Sequence, residues 1–449
     1  MLPENTTRMR SEAGAICVVA DAGRLIEFPG RDVYMLDVEA VVRAESLVGE
    51  VHDCPVADRS ESVRRALEKL HVNHRFSEIH FPRLGGLAFR TLQARNAGLQ
   101  FDDVEIVIGS GRTSREIRES HQCWPAGPDD LILDHMEQYS SDSHRTPSRG
   151  TPLVTVGIAH FNLGRYLPAA LESLAKQTYS NLEIIVIDDG STQPESIAAI
   201  QQMELAHPNV RFLRQGNAGI GATRNRLLAE ARGEYFIPMD ADNIARPEMV
   251  STFVKAMNRN PSLSAMTCFF LAFAEGIELG GLTPPARPFM YAYRPVGGPH
   301  ALSCIRNVYG DANGIFRTAD FHAAGGYGTD RGTSCEDWEA YVKLIHAGKR
   351  IDVVPEYLFH YRHREAGFSR ATNWFANHQR VMRQFPEEQW SALLGFQQEN
   401  LRLQEKLKAP RYRIADAIHN AIAVPYRWFK FRRSASTSLG SPASPTPRD

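Results

Sequence analysis

Short apolar segments alternate with helix-like segments from residue 153 onward, and this alternation limits the chain to a few folds. The segments are apolar from end to end rather than at every second position. Strands of that kind are expected where helices cover both faces of a sheet. The pattern therefore predicts half of a doubly wound α/β fold. The strand-like segments are 154–159, 182–187, 210–213 and 235–239, and the clearest helix-like ones are 166–176 and 220–232.

Polar residues follow three of these strands directly. They are His160-Phe161-Asn162, Asp188-Asp189-Gly190-Ser191 and Asp240-Ala241-Asp242. Ligands of open α/β sheets bind beyond the carboxyl ends of the strands, so we expect these residues to share one site. In the third group, one carboxylate can face a divalent cation while the other faces the cation's waters or a phosphate-linked sugar. This arrangement suits a nucleotide-sugar site.

Each motif also has a simpler structural explanation. The acidic turn at 240–242 can cap a following helix, with Asn243 as the capping residue. At 188–189, one carboxylate can face a ligand while the other caps the next helix. The glycine-rich stretch 217–225 opens a helix whose N-terminus, with Arg224, favours an anion, although a plain helix start explains it as well. Phosphorelay receiver domains also gather acidic residues at strand ends, but the lysine and phosphoacceptor strand they require have no counterpart here.

A smaller α/β pattern precedes this region. It has strand-like segments at 16–20, 79–81 and 104–108 and helix-like segments at 62–70 and 87–97, which alternate as in a parallel sheet. A polar stretch rich in helix and strand breakers separates the two patterns. The predicted organisation is a disordered start at 1–14, a Rossmann-like α/β domain at 15–138, a linker at 139–152, a larger α/β domain at 153–390, a basic helical extension at 391–433 and a disordered tail at 434–449.

Composition excludes several classes of protein. The 449 residues carry a formal net charge of −1, which does not support nucleic acid as the main partner. The polar start lacks the apolar core of a signal peptide, and the longest apolar stretch, 265–274, is too short to cross a bilayer. We therefore expect a cytoplasmic protein. Six cysteines without a Cys-x-x-Cys pair indicate free thiols rather than zinc ligands or disulfides.

The C-terminal part combines basic and aromatic residues. Segment 397–433 is helix-like, and its last part, 425–433, interleaves rings with cations. That combination suits an anionic membrane surface, since rings enter the headgroup layer while cations meet the lipid phosphates. A helix packed on its own domain, or a dimer, explains the same pattern. The sequence predicts peripheral contact through 411–433 with the inner face of the cell membrane.

Together the motifs resemble those of the family 2 glycosyltransferases, which have a GT-A fold. The order and spacing of the pieces agree from residue 154 to residue 370, and their joint occurrence is specific where each alone is not. The pieces that carry the resemblance are 154–162, 173–179, Glu183-Ile184-Ile185-Val186-Ile187-Asp188-Asp189-Gly190-Ser191-Thr192, 217–219, 222–225, Asp240-Ala241-Asp242, 314–317, 325–327, Cys335-Glu336-Asp337-Trp338-Glu339, 361–363 and 369–370.

The resemblance implies a GT-A type doubly wound mixed sheet and a role for each site residue. Asp337 is the catalytic base. Asp240 and Asp242 hold Mg²⁺ or Mn²⁺ on the diphosphate. The residues that the resemblance implies for binding the nucleotide sugar are Ala159, Asp188, Asp189 at the base, Asn217, Gly219, Arg224 and Asp240. Apart from the resemblance, His363 is a further candidate metal ligand because imidazole suits Mn²⁺, although ordinary packing explains this histidine as well.

This division of roles is chemically sound. A divalent cation neutralises the charge that grows on a departing nucleoside diphosphate, so no protein acid is needed. One carboxylate that deprotonates the attacking hydroxyl opposite the leaving group gives inversion, whereas two carboxylates flanking a glycosidic bond describe a hydrolase. Asp337 also has a structural explanation, because acids in the first turn of a helix are stabilised by the helix dipole.

The N-terminal pattern carries a second, weaker resemblance. Segments 79–89, 97–99 and 134–138 are similar to part of the N-terminal half of GT-B glycosyltransferases, such as glycogen-synthase-like and family 4 enzymes. The nucleotide-binding half of that fold has no counterpart here. The resemblance therefore implies a non-catalytic domain with a structural or acceptor-positioning role.

The sequence predicts an inverting, metal-dependent glycosyltransferase. Its donor is a nucleotide-diphosphate sugar, and its acceptor is a glycan or lipid-linked glycan of surface polysaccharide biosynthesis. Two alternatives stay open. A catalytically silent glycan-binding subunit is compatible with the fold. A sugar-phosphate nucleotidyltransferase shares the scaffold, but segment 159–162 is not the glycine-rich triphosphate loop that such an enzyme shows.

Overall fold

The computed structural model describes residues 8–9, 15–20, 32–44, 50–51, 55–121, 128–139, 150–279, 289–365, 367 and 372–386. The described residues up to Phe385 form one compact unit. The predicted membrane-contact segment 411–433, the predicted tail, most of the predicted linker and the cysteines at 54 and 123 lie outside the described residues. The domain boundaries stay a prediction.

Strands and helices alternate along most of the described chain. The strands are β1 Arg8–Met9, β2 Ala15–Ala20, β3 Val33–Asp37, β4 Glu50–Val51, β5 Phe76–Phe81, β6 Glu105–Ile108, β7 Val154–His160, β8 Leu182–Asp188, β9 Val210–Arg214, β10 Tyr235–Asp240, β11 Ile244–Ala245, β12 Leu263–Ala274, β13 Phe289–Tyr293, β14 Ile315–Arg317 and β15 Arg350–His363. The helices are α1 Val38–Ala44, α2 Pro55–His74, α3 Phe89–Asn96, α4 Ser114–Ser120, α5 Pro128–Gln138, α6 Leu167–Ala175, α7 Pro194–Ala206, α8 Ile220–Glu230, α9 Met249–Arg259, a 3₁₀ helix at His300–Cys304, α10 Thr318–Ala323, α11 Glu336–His346 and α12 Trp374–Met382.

Two sheets organise these elements. The smaller sheet has the order β1-β3-β2-β5-β6 and is parallel except for β1. The larger sheet is mixed, with the order β11-β15-β12-β14-β10-β7-β8-β9, and β13 and β4 extend it beside β12. Strands β7, β8, β9 and β10 run parallel, whereas β14 lies antiparallel between β10 and β12. The predicted α/β class and the mixed GT-A type sheet are confirmed.

The parallel strands bring the predicted site residues to one edge. Asp240 is paired with Ala159, and His160 is paired with Asp188, so the carboxyl ends of β7, β8 and β10 lie side by side. Strand β7 is buried along its whole length, as expected for a strand covered by helices on both faces. Helix α8 begins very close to a neighbouring loop, since a Cβ at Gly221 would lie 1.9 Å from the Gly328 carbonyl oxygen.

The helix-cap explanation for the acidic turn is wrong. After Asn243 the chain continues as strand β11, which pairs with β15, and helix α9 begins only at Met249. The Asn243 side-chain oxygen accepts a hydrogen bond from the backbone N–H of Arg362 at 3.1 Å. Asn243 thus joins the acidic turn to the end of β15.

The described residues also test the predictions that the longest apolar stretch does not cross a bilayer and that the cysteines are free thiols. Segment 265–274 belongs to β12, a buried strand, and none of the helices described is long and apolar enough to span a membrane. Among the described cysteines, Cys17, Cys268 and Cys304 are buried free thiols, and Cys335 is a half-buried one.

Candidate active site

A cavity of about 600 Å³ lies at the carboxyl ends of β7, β8 and β10. The far wall of the cavity is formed by the segment that leads into α11 and by the end of β15. Eight of the residues predicted for the site line this cavity: Ala159, Asp189, Asn217, Gly219, Arg224, Asp240, Asp242 and Asp337. Two strand-end carboxylates and the candidate base, almost a hundred residues further along the chain, thus share one space.

Asp189 organises the loop in front of α8. One carboxylate oxygen accepts hydrogen bonds from the backbone N–H of Ala218 at 2.8 Å and from the side chain of Gln215 at 2.7 Å. The other accepts from the N–H of Gly219 at 2.9 Å. Gly219 has φ of +91°, a conformation that favours glycine. Asp189 therefore fixes the glycine-rich loop while facing the cavity.

Asp188 lies outside the group of cavity-lining residues. Its carboxylate accepts a hydrogen bond from the Ser191 hydroxyl at 2.5 Å and lies 3.1 Å from His160 Nδ1. This position does not support the predicted ligand contact, because the side chain turns to the loop that follows its own strand. Of the two adjacent carboxylates, Asp189 reaches the cavity and Asp188 stabilises the turn.

His363 is also absent from the lining of the cavity, so its position does not support the predicted metal contact. Its ring meets the Tyr291 ring at a centroid distance of 5.8 Å. The next residue, Arg364, reaches the acidic turn instead, since its Nε donates to Asp242 Oδ2 at 2.6 Å. The resemblance did not indicate this arginine.

Arg224 connects the acidic turn to the helix of the candidate base. Its side chain is buried, and Nη2 donates to Asp240 Oδ1 at 2.5 Å. Nη1 donates to Glu336 Oε1, in the first turn of α11. The guanidinium also lies 5.5 Å from the centre of the Tyr327 ring. Arg224 therefore holds together two acidic groups that are remote in sequence, a role that the sequence did not reveal.

Asp337 has an environment that favours proton transfer. Burial and, next, the charge of Glu336 raise the pKa of Asp337 to about 7, although the Arg224 guanidinium opposes this shift. The Asp337 Oδ1 atom accepts a hydrogen bond from the Trp338 N–H at 2.8 Å. A carboxylate with a pKa near neutrality is suited to accept a proton from a substrate.

Asp311 is a cavity residue that the sequence analysis missed. Its Oδ1 accepts hydrogen bonds from the Asn313 N–H at 3.0 Å and from the Asn313 side chain at 2.9 Å. Asn313 in turn accepts from the N–H of Asp240 at 3.2 Å. Burial and the charges of Asp240 and Asp337 raise the pKa of Asp311 well above its usual range. Asp311 lies three positions before the quoted segment 314–317, but no spacing in the sequence marks it.

The cavity suits a divalent cation that binds together with a diphosphate. Among the described residues, seven carboxyl groups and four guanidinium groups line it. Burial and the charge of Asp240 raise the pKa of Asp242, so these two carboxylates repel each other. Among the described residues, no group of three acidic, histidine or cysteine side chains is arranged to hold a metal ion. Mg²⁺ commonly needs only one or two carboxylates, because substrate phosphates and water complete its shell.

The chain matches a known family over this region. Residues 155–305 match the family model described as Glycosyl transferase family 2. Chondroitin synthase of Escherichia coli is 33% identical over 115 residues, which cover 26% of this chain and 17% of that protein. The glycosyltransferase GlyG of Streptococcus pneumoniae is 38% identical over 101 residues, covering 22% and 33%. The chain spans less than two fifths of the length of these relatives.

Solved structures show a more distant similarity. S. aureus TarS 1-349 in complex with UDP-GlcNAc has a TM-score of 0.39 at 20% identity, over 49% of this chain and 61% of that one. The mannosyltransferase PcManGT from Pyrobaculum calidifontis, in complex with GDP-Man and Mn²⁺, has a TM-score of 0.39 at 17% identity, over 64% and 88%.

Proposed function

We propose that this chain, whose residues 155–305 match the Glycosyl transferase family 2 model, transfers a sugar with inversion from a nucleoside-diphosphate sugar to a hydroxyl group. The acceptor is a glycan or lipid-linked glycan, in the biosynthesis of a surface polysaccharide. The observation that carries the proposal is one cavity that joins the acidic turn, Asp240 and Asp242, to a carboxylate of raised pKa, Asp337.

In this proposal Asp337 takes the proton of the attacking hydroxyl. Its pKa of about 7 leaves a large fraction ionised at neutral pH and makes the carboxylate more basic than an ordinary aspartate. The hydrogen bond from the Trp338 N–H fixes one oxygen, so the other can face the acceptor. The hydroxyl oxygen then bonds to the anomeric carbon from the side opposite the nucleoside diphosphate, whose bond to that carbon breaks. Because this is a single displacement, the anomeric configuration inverts.

The departing diphosphate needs positive charge. Asp240 and Asp242 are the residues that would hold Mg²⁺ or Mn²⁺ there, and when bound, the cation neutralises the charge of the leaving group. Arg224 and Arg364 contact the same two carboxylates and keep them in place. Ala159, Asn217 and Gly219 line the part of the cavity that contains Asp189, where we place the nucleoside.

The two alternatives have less support. A silent glycan-binding subunit gains nothing from a buried aspartate whose pKa is raised to about 7, since burying a charge that does no chemistry only destabilises the fold. A nucleotidyltransferase needs a basic, glycine-rich loop after its first strand. Here β7 is followed by Phe161-Asn162-Leu163 and the backbone N–H of Asn162 is already bonded to Ser191 at 2.9 Å.

A donor screen tests the proposal. The full-length protein is melted in the presence of UDP, GDP, CDP and ADP sugars, with and without Mn²⁺, and the sugar nucleotide that raises Tm most is then assayed for hydrolysis and transfer. We expect one nucleotide class to stabilise the fold, more strongly with Mn²⁺. Binding without any hydrolysis or transfer would favour the silent subunit.

The rate of donor consumption is expected to depend on pH through Asp337. Its pKa is raised, so the carboxylate becomes protonated, and inactive as a base, as the pH falls through about 7. We expect kcat/KM to decrease about tenfold for each pH unit below 6.5 and to level off above 8. Initial rates from pH 5 to 9 at saturating Mn²⁺ measure this. A profile that is flat down to pH 5 contradicts the assignment of the base.

Asp242→Asn is expected to remove the divalent-dependent part of donor binding. The change deletes one anionic ligand. We therefore expect the factor by which Mn²⁺ lowers the donor Kd to shrink by about tenfold or more. Binding measured without metal should change little. Asp330→Asn is the matched control, because Asp330 lines the same cavity but is exposed and lies 3.4 Å from Arg383. Equal Mn²⁺ effects in both variants would rule out Asp242 as a ligand.

A further inference from the structure

The segment 294–309, here called the acceptor-side segment, connects β13 towards β14 and reaches the cavity through Asn307. It contains the 3₁₀ helix His300–Cys304. The Trp338 indole Nε1 donates a hydrogen bond to the Ser303 carbonyl oxygen at 2.7 Å. Trp338 directly follows the proposed base and lines the cavity, so a shift of the acceptor-side segment would be passed to the catalytic centre.

The other end of this segment is held by helix α3 of the N-terminal unit, residues 15–138. Arg90 is fully buried, and its Nη2 donates to the carbonyl oxygen of Arg294 at 3.3 Å. Its Nη1 donates to Gln93 Oε1 at 2.7 Å. Gln93 Nε2 donates to the Val296 carbonyl oxygen at 3.3 Å and to Asp352 Oδ1 at 3.1 Å. Two neighbouring side chains of one helix thus fix the backbone where the segment begins.

Two further helices of the N-terminal unit contact the segment. Arg294 Nη1 lies 3.4 Å from Asp58 Oδ1 in α2. The His135 ring of α5 packs on Gly298 so closely that a Cβ there would lie 2.6 Å from the ring. The N-terminal unit even contributes a strand, because β4 pairs in parallel with β13 at the border of the larger sheet.

Further buried hydrogen bonds support these contacts. The buried Arg64 of α2 donates to the Pro355 carbonyl oxygen at 2.9 Å and pairs with Glu356 at 3.1 Å, both on β15. Tyr139 donates to Asp352 Oδ2 at 2.5 Å. Buried polar groups that are hydrogen-bonded across a contact have one preferred register, because sliding leaves them unsatisfied.

The N-terminal unit uses its own loops for internal contacts. The loops after β5 and β6 are where a doubly wound unit holds an anionic ligand. Here the Glu137 carboxylate accepts hydrogen bonds from the Gly85 N–H at 2.7 Å, from the Ser114 N–H at 2.6 Å and from the Ser114 hydroxyl at 2.7 Å. A side chain of the unit itself therefore takes the donors that a ligand phosphate would use.

We infer that the N-terminal unit is a positioning element of the transferase, with Arg90 and Gln93 as positioning residues that hold the acceptor-side segment. This inference rests on the proposed function, because it assigns the held segment to the acceptor side of the cavity. The unit acts through the shape of the catalytic cavity and not through a nucleotide of its own. Neither residue lines the cavity.

The test uses Arg90→Met and Gln93→Leu in the full-length chain. Both substitutions keep the bulk of the side chain but remove the hydrogen bonds to the segment. We expect sugar transfer to fall by about tenfold or more, since a displacement of about 1 Å is enough to cost that much. The Kd for the nucleoside diphosphate selected by the donor screen should stay within about twofold. The control, Arg115→Met, removes an exposed arginine of the same unit that pairs with Glu119, and should change nothing.

Amide hydrogen exchange gives a readout that does not depend on activity. We expect faster exchange within 294–309 in both variants, with unchanged exchange in β7 and β8. Unchanged exchange in the segment overturns the inference, and so does a full transfer rate in both folded variants. An equal loss of transfer and of nucleotide affinity also overturns it, because it indicates general damage. If the wild type binds a nucleotide sugar but never turns it over, the proposed function fails. Faster exchange in the segment of both variants would still support the positioning role of Arg90 and Gln93.

Discussion

Asp337→Asn is expected to lower the rate of sugar transfer by about a thousandfold while the Kd of the nucleoside diphosphate stays within about twofold. Asparagine keeps the size of the side chain and can still accept the hydrogen bond from the Trp338 N–H, but it cannot take up a proton. The measurement is single-turnover transfer together with calorimetric titration of the nucleotide.

The same variant should be more stable than the wild type, and the gain should depend on pH. Because the folded-state pKa of Asp337 is raised to about 7, the wild type loses stability as the pH rises from about 4 to about 7. Asparagine avoids that loss, so the Tm of the variant should exceed that of the wild type at pH 8, by an amount equivalent to at most about 4 kcal/mol of unfolding free energy. At pH 4 the two proteins should have nearly the same Tm. Asp330→Asn is the control for both readouts. Near-normal transfer by the Asp337 variant would remove this residue as the base.

Arg224→Met is expected to produce the largest loss of stability among cavity variants. The guanidinium is buried between Asp240 and Glu336, and breaking a buried ion pair by removing one partner costs about 3–5 kcal/mol. One oxygen of Glu336 is already buried without a hydrogen-bond partner among the described residues, so this carboxylate has little alternative support. The shift of the urea midpoint measures the loss.

Two further variants separate the cause from a packing defect. Arg364→Met removes a half-buried arginine that pairs with Asp242 of the same acidic turn. This change should lower the free energy of unfolding much less. Adding Asp240→Asn and Glu336→Gln to Arg224→Met should restore much of the stability without restoring transfer, because the unpaired charges are gone. If the triple variant is as unstable as Arg224→Met, lost packing around Tyr327 explains the effect instead.

The part of the site that lies on consecutive strands could be predicted from the sequence. Apolar runs at 154–159, 182–187 and 235–239 indicated parallel strands, and the rule that ligands meet strand carboxyl ends placed Asp189, Asp240 and Asp242 near one another. The structure brings all three to one cavity. Local pattern was sufficient because each strand and its polar loop are contiguous in sequence.

The rest depends on pairings between remote segments. The insertion of β14 between β10 and β12 brings Asp311 to the cavity, and the side chain of Arg224 in α8 reaches Glu336 at the start of α11. No periodicity within a single segment encodes such contacts. The same limit applies to Asp188 and His363. Both residue types are suited to bind a ligand, but it is the adjacent residues, Asp189 and Arg364, that line the cavity.

Strand β4, which the N-terminal unit contributes to the larger sheet, has a consequence for solubility. β4 covers the outer hydrogen-bonding side of β13, including Tyr291 and Ala292. If the chain were cut at the predicted linker and the first part discarded, that row of backbone donors and acceptors would face water. Bare sheet borders of this kind recruit strands from other molecules. The part of the chain that follows the linker would thus tend to self-associate on its own, and the N-terminal unit would serve as its built-in protection against aggregation.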